Sequence, residues 1–324
     1  MKDTMQFKKI NDTILKLFTE EGKEHAEVYI LQLFPGVMLG INYVNIHRIV
    51  GDTADAANTD TLRINYCFEG RCEVKLMDGR YVYVDNNALC IEDHSPQYNY
   101  HYPLGFYKGI QIFIDKNIIQ TQRLETFDLF GIHPQILVDK FGNKDFTFIQ
   151  IASEQFAKKS AELLSIWENT DISLESKVQQ IRFALCQLFF YLINNQAINT
   201  EKPYNTSILS YSQYQIAIDC EQQITKDLSR KLTIESMAAG YKVSPSSLKK
   251  FFTGVYGCSI SEYTQTMRIK KATELLETTD NSIMQVAASV GYENQSKFSA
   301  VFKKHTGFSP LEYKRIHNLK EMRK

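Results

Sequence analysis

No stretch of this 324-residue chain runs to eighteen uninterrupted apolar residues, so no membrane-spanning helix is expected and no membrane is a partner. Cysteine is sparse too. Cys67, Cys72, Cys90, Cys186, Cys220 and Cys258 are scattered, with no CxxC pair and no secretory leader at the N-terminus. They read as buried thiols of a cytoplasmic protein. For Cys67, Cys72 and Cys90 the alternatives are core cysteines on strands or a redox or zinc sensor. His94 and His101 lack the paired spacing of a metal site. There is no nucleophile–base–acid set, no phosphate-binding glycine loop and no metal-ligand cluster, so neither enzyme activity nor a cofactor is expected. Net charge is also absent: 37 Lys and Arg balance 37 Asp and Glu. That balance says nothing until the charges are located along the chain.

What the chain does contain is an internal duplication. Phe252 to Tyr263 reads FTGVYGCSISEY and Phe302 to Tyr313 reads FKKHTGFSPLEY, with Phe, Gly, Ser, Glu and Tyr in the same places fifty residues apart. Leu248 and Phe298 each stand four residues before the shared Phe, and Ala238 and Ala287 lie further back, with one extra residue in the second copy. Repeats define architecture before any single element does.

Each copy has the grammar of helix, tight turn, helix and stop. In the first, Thr233 can cap a helix carrying Ile234, Met237 and Ala238, and a turn through Lys242 and Val243 leads to Ser244 and Pro245, an N-cap and a first-turn proline. Leu248, Phe251 and Phe252 then fall on one face, Gly257 ends the pattern, and Ser259 with Glu262 forms a capping box for the next helix. The second copy repeats the plan with Val286, Ala287 and Val290, a turn at Gly291 and Tyr292, a cap at Asn294, and Phe298, Val301 and Phe302 facing inward. It stops at Gly307 and reopens with Ser309, Pro310 and Glu312. Two helix-turn-helix units, at about 233–254 and 282–305, thus flank a connecting helix from about 261 to 277, which spans about 25 Å.

Residues from about 210 to 315 resemble the DNA-binding domain of the AraC/XylS family of transcription regulators. The family pattern appears as Ala238, Ser244, Leu248, Phe252, Gly257, Tyr263, Arg268, Ala272, Leu275 and Leu276. Its second half appears as Ala287, Gly291, Tyr292, Phe298, Phe302, Gly307, Pro310 and Tyr313. Charge agrees: from Asn205 onward 17 Lys and Arg face 11 Asp and Glu, a net +6, and the rest carries −6. A neutral chain can therefore present a basic module to phosphate.

With Leu248, Phe251 and Phe252 inward, Ser246, Lys249 and Lys250 lie outward and are the base-reading candidates of the first unit; Gln295, Ser296 and Ser299, beside Ala300, are those of the second. Lysine can donate to guanine O6 and N7, and glutamine can pair bidentately with adenine. Lys297, Lys303 and Lys304 are placed on phosphates, which fix register without reading sequence. For each lysine the alternative is a solvated helix face. The family often has Arg near the end of each recognition helix, where this chain has Lys250 and Ala300. Arg268 is expected to brace the two units rather than to touch phosphate. By resemblance, one monomer would span two successive major grooves about 34 Å apart.

The fold class expected is α+β multidomain. Residues 1–200 form an N-terminal domain, 196–209 a linker and 210–318 the DNA-binding domain. From about 27 to 115 the chain alternates with period two through Leu62, Ile64, Tyr66 and Phe68 and through Tyr81 to Val84. Glu69-Gly70 and Asp78-Gly79 supply hairpin-type turn signals. A barrel or sandwich fits this rhythm, and helices are expected over about 116–195, near 118–129, 148–168 and 174–194. On the last, Val178, Ile181, Leu185, Leu188, Phe189 and Leu192 keep a 3.6 period, which suits either packing on the domain's own barrel or a dimer seam.

The family resemblance implies a cupin-like barrel that binds a small effector or mediates dimerisation, although Asn86 and Asn87 replace the Gly-Asp often found there. Glu92, Asp93, His94, Tyr98, Tyr100, His101 and Tyr102 either line an effector pocket at the barrel mouth or form a Tyr-rich surface loop. The partners implied are double-stranded DNA, a small-molecule effector and RNA polymerase, in a monomer or homodimer, with an activator role. The rival class is an enzyme or a sequestering protein with a DNA-anchoring tail, but the cysteine–zinc arrangement of a DNA-repair methyltransferase is missing.

Overall fold

The computed structural model describes residues 5–19, 25–50, 60–93, 99–122, 124–142, 147–201, 204 and 207–321, and every structural statement below concerns these. The chain divides into two compact units, Met1–Ile208 and Leu209–Lys324.

The first unit contains strands β1 (Gln6–Lys9), β2 (Ile14–Phe18), β3 (His25–Phe34), β4 (Val37–Asn45), β5 (Arg48–Val50), β6 (Thr61–Gly70), β7 (Cys72–Lys75), β8 (Tyr81–Val84), β9 (Ala88–Asp93), β10 (Asn99–His101), β11 (Tyr107–Asp115) and β12 (Thr147–Ile151). Its helices are α1 (Lys116–Thr121), α2 (Glu125–Phe130), α3 (Gln135–Phe141), α4 (Glu154–Glu168) and α5 (Leu174–Ile193). Eight strands form one antiparallel sheet in the order β1-β2-β3-β4-β11-β6-β9-β12, while β5 pairs with β10 and β7 with β8 as separate ribbons.

Alternation along β6 shows how the layers arise. Leu62, Ile64 and Tyr66 point to one side of the sheet, into a core shared with Phe127, Phe156, Leu185 and Phe189 of the helices. Cys67 points to the other, into a second core with Val74, Val82, Val84, Cys90, Tyr102 and Tyr107 under the ribbons. Arg63 and Asn65 share that second side and are buried.

Several expectations change here. Hydrogen bonding among the described residues does not close into a barrel: β1 and β12 are sheet edges, and β5, β7, β8 and β10 pair only among themselves. The sheet also reaches beyond 27–115, to β1 and β2 before it and β12 after it. Residues 148–151, expected as the start of a helix, belong to β12 and pair with β9, and the helix begins at Glu154 behind a Ser153 cap. Asp78-Gly79 does join a paired hairpin, with Gly79 at φ +81°. Glu69-Gly70 does not; at Gly70, φ +89°, the chain leaves the large sheet for the β7–β8 ribbon. Asn87 takes the left-handed conformation, φ +60°, that asparagine tolerates better than most side chains.

The 3.6-period stripe of α5 is fully engaged: Val178, Ile181, Leu185, Leu188, Phe189 and Leu192 all lie in the unit's own core, which removes them as a dimer seam. Cys67, Cys72 and Cys90 are buried on the ribbon side, where burial pushes the Cys72 thiol up to about 12 and raises the other two. Thiolate is the reactive and metal-binding form, so this environment favours core cysteines over a sensor. Among the described residues no group of three His, Cys, Asp or Glu could hold a metal ion, and no helix is long and apolar enough to cross a membrane.

The second unit is helical: α6 (Tyr211–Lys226), α7 (Ile234–Gly240), α8 (Pro245–Tyr256), α9 (Ile260–Thr278), α10 (Ile283–Ser289), α11 (Gln295–Thr306) and α12 (Pro310–Glu321). The caps expected from sequence are formed. Thr233, Ser244 and Asn294 accept from the backbone N–H groups of Ser236, Ser247 and Lys297, and Ser259 with Glu262 closes a capping box. Gly257 and Gly307 end their helices at φ +72° and +80°. Ser282 with Gln285 forms a further capping box that the sequence reading passed over.

Candidate nucleic-acid interface

The first helix-turn-helix unit is α7 and α8. Lys242, at φ +57°, makes the turn between them, and Val243 N–H donates to Ala238 O at 3.1 Å. Leu248, Phe252, Val255 and Tyr256 anchor α8, with Phe252 and Tyr256 stacked at 4.4 Å and Phe252 edge-on to Tyr263 of α9 at 5.4 Å. Phe251 is only half-buried. This fixes the rotation of α8 and leaves Ser246, Lys249 and Lys250 exposed, as expected. Thr253, one turn beyond Lys249, shares that face and was not singled out from sequence, because threonine carries no charge signal. Ser246 Oγ lies 2.8 Å from the capping Ser244 Oγ, so its hydroxyl is partly occupied by the helix start.

The second unit is α10 and α11. Gly291 makes its turn at φ +82°. Phe298 and Phe302 anchor α11, with Phe302 edge-on to Tyr313 of α12 at 5.4 Å. Gln295, Ser296, Lys297, Lys303 and Lys304 are exposed, whereas Ser299 is half-buried and reaches solvent less than expected. Lys303, Lys304 and His305 occupy the last turn of α11, where positive charge suits the carbonyl end of the helix. Among the described residues none of Lys249, Lys250, Lys297, Lys303 and Lys304 forms an ion pair, so their charge is available to an anionic partner.

Between the units runs α9, whose 19 residues span about 28 Å at 1.5 Å per residue. Arg268, near its middle, donates from Nε to Leu228 O at 2.9 Å and from NH1 to Gly291 O at 3.3 Å. The bracing role expected for Arg268 matches this geometry.

In the first unit, the expected effector cluster is built differently from a surface loop. His94 and Tyr98 lie outside the described residues. Tyr100 OH accepts from Arg63 NH1 at 3.0 Å, and Arg63 also pairs with buried Glu92. His101 Nδ1 sits 2.9 Å from Glu73 Oε2, and Tyr102 packs on Tyr107 with ring centroids 5.2 Å apart. Asp93 is held by Lys116 Nζ at 2.6 Å. Burial raises the phenols of Tyr100 and Tyr102. These residues close the ribbon side of the sheet, making a buried polar patch within an otherwise apolar core.

Two helix-turn-helix units on one connecting helix define the C-terminal unit as a double helix-turn-helix DNA-binding domain. Residues 237–316 match the family model described as a helix-turn-helix domain. The chain is 32% identical over 100 residues to the bifunctional transcriptional activator/DNA repair enzyme AdaA of Bacillus subtilis, covering 31% of this chain and 47% of that protein. It is 27% identical over 135 residues to the melibiose operon regulatory protein of Escherichia coli K12, covering 42% and 43%. It is 41% identical over 81 residues to the arabinose operon regulatory protein of the same organism, covering 25% and 28%. The chain thus spans less than half the length of each of these relatives. Its C-terminal unit belongs to the AraC/XylS family of transcription regulators.

Proposed function

We propose that this chain is a sequence-specific DNA-binding transcription regulator acting in the cytoplasm, a ligand-responsive activator rather than an enzyme. The observation that carries the reading is the pair of helix-turn-helix units held on one helix, each presenting an outward face free of internal ion pairs. In this reading α8 reads one major groove through Ser246, Lys249 and Lys250, and α11 reads the next through Gln295, Ser296 and Ser299. Lys297, Lys303 and Lys304 hold backbone phosphates and set the register. Each good base contact is worth about 1–3 kcal/mol of discrimination.

The sheet unit takes the effector. The buried polar patch around Arg63, Glu92, Tyr100, His101 and Tyr102 supplies donors and aromatic walls suited to a small polar molecule. A bound effector acts by shifting the balance between DNA-bound arrangements of the chain, and RNA polymerase is the partner through which activation is delivered.

The test is selection of duplexes from a random-sequence pool by the full-length chain. The expected result is one motif of two boxes centred about 10 base pairs apart. Recovery of no enriched motif, with and without small-molecule extracts, would overturn the reading.

A further inference from the structure

Within the second unit, α9 packs on both helix-turn-helix units along its length. Tyr263, in its N-terminal half, joins the Phe252–Tyr256 aromatic cluster of the first unit. Ile269, Ala272 and Leu276, in its C-terminal half, share a core with Val286, Phe298 and Phe302 of the second. Arg268 sits where one set of contacts gives way to the other.

Its guanidinium reaches three carbonyls on two separate segments: Leu228 O and Arg230 O, at 2.9 and 3.5 Å, in the stretch that leads into α7, and Gly291 O, at 3.3 Å, in the turn of the second unit. The Tyr292 ring lies 5.7 Å from its central carbon. A Cβ built on Gly291 would come within 2.7 Å of Leu228 O and 2.8 Å of Arg268 NH2, so the two segments press against each other around the arginine. Lys231 and Glu293 link the same segments at 2.7 Å. Both are largely exposed, and a pair of that kind adds little. A rigid planar fork can satisfy carbonyls that diverge in this way; a lysine ammonium is a single point donor on a flexible stem.

We infer that Arg268 is a positioning residue: by tying the entry to the first helix-turn-helix unit to the turn of the second, it sets the separation and relative orientation of the two recognition helices. This rests on the two-groove reading above and deepens it. Once α8 is seated, α11 meets its own box as an intramolecular partner, at an effective concentration that depends on how well the spacing is fixed. A loose brace lowers that concentration without altering either reading face.

The experiment uses the full-length chain and the duplexes it selects, in three forms: both boxes intact, one box scrambled, and one base pair inserted between the boxes. Arg268→Ala is expected to weaken binding to the two-box duplex by about tenfold or more while leaving the one-box duplex within about twofold. It should also shrink the penalty for the inserted base pair. Arg268→Lys should fall between wild type and Arg268→Ala, and Gly291→Ala should reproduce the alanine pattern from the opposite side of the contact. Equal losses on all three duplexes, or no loss on any, would overturn the inference.

A readout without DNA separates failure of the brace from failure of the regulator reading. With Cys186 and Cys258 replaced by serine, spin labels at positions 253 and 303 should give one narrow distance distribution that broadens in Arg268→Ala. An unchanged width rejects the brace even if two-box binding is real. A broadened width with no selected motif upholds the brace and rejects the two-groove reading. If Arg268→Ala does not fold, as judged by its thermal unfolding, Arg268→Lys and Gly291→Ala carry the same measurements.

Discussion

The two helix-turn-helix units share an inward plan, with Ala238 answering to Ala287, Leu248 to Phe298 and Phe252 to Phe302, and differ on the outside. Tyr263 OH donates to Glu221 of α6 at 2.9 Å, and Tyr313 OH, fifty residues later, donates to Glu277 of α9 at 2.7 Å. Each unit is therefore clamped between a helix that supplies a glutamate and a helix that supplies a tyrosine, and α9 serves both. Charge, by contrast, is distributed differently. Lys249 and Lys250 lie midway along α8, whereas the corresponding positions of α11 are Ser299 and Ala300, and its lysines stand at the start and in the last turn. Packing requirements preserve the inside of a duplicated module, while the outward face is free to diverge towards a different contact.

The turns differ in the same instructive way. Lys242 adopts a left-handed φ in the first unit, a conformation costing a side chain about 1–2 kcal/mol relative to glycine. Gly291 adopts it in the second without that cost, and it is also the residue against which Leu228 and Arg268 close. The first turn is tied to α6, where Gln223 Nε2 donates to Tyr241 OH at 2.7 Å; the second is part of the brace.

Four comparisons would sharpen or break this account, the largest first. Phe252→Ala and Phe302→Ala remove fully buried anchors at equivalent positions, and each should destabilise the second unit by about 3–5 kcal/mol in denaturant unfolding. A large inequality between them would contradict the equivalence of the interiors. Gly291→Ala should cost about 2–3 kcal/mol, from left-handed strain and close contact together, while Lys242→Gly should be neutral or mildly stabilising. Equal effects at the two turns would deny the second its bracing role.

On DNA, Lys249→Ala or Lys250→Ala should cost about 1–3 kcal/mol at the selected site and little on random duplex. Lys303→Ala or Lys304→Ala should weaken both alike and reduce the salt slope by about 1. The reverse pattern would exchange the base-reading and phosphate-holding roles of these two pairs of lysines. The smallest effect concerns the capping boxes. Hydrogen bonds from Ser259 and Ser309 hold the carboxyls of Glu262 and Glu312 below their ordinary 4.5. A carboxyl depressed by folding stabilises the folded state above its unfolded value, and that contribution disappears as pH falls through the folded one. Stability should therefore decline below about pH 4.5, by similar amounts from the two boxes, and Glu262→Gln or Glu312→Gln should flatten that decline.

Legibility in the sequence followed the range of the interactions. Caps, helix-ending glycines and the inward faces of α8 and α11 depend on residues three or four apart, so the two helix-turn-helix units could be read from their repeat, whereas α6, which lies outside it, could not. Nor could the sheet unit. Which strands pair, and whether they close into a ring, depends on partners far apart in the chain. Period-two rhythm therefore fits a barrel or a sandwich where the strands form an open sheet with two ribbons, and it leaves residues 148–151 in the helix that follows them. The stripe on α5 shows the same limit: a 3.6 period establishes that one face is buried, not what buries it. Whether Tyr100 and His101 line a pocket or a surface loop is not legible in the sequence, because their partners, Arg63 and Glu73, lie 37 and 28 residues away. Ser299 was placed outward by spacing alone, and the crowding that half-buries it involves neighbours that spacing does not reveal.

The most direct test of the central claim is hydroxyl-radical footprinting of the full-length chain on its selected duplex, repeated with Lys249→Ala and Gln295→Ala. The account predicts two protected patches on one face of the duplex, centred about 10 base pairs apart, with Lys249→Ala fading one and Gln295→Ala the other. A single patch, or two patches that weaken together in both variants, would contradict it.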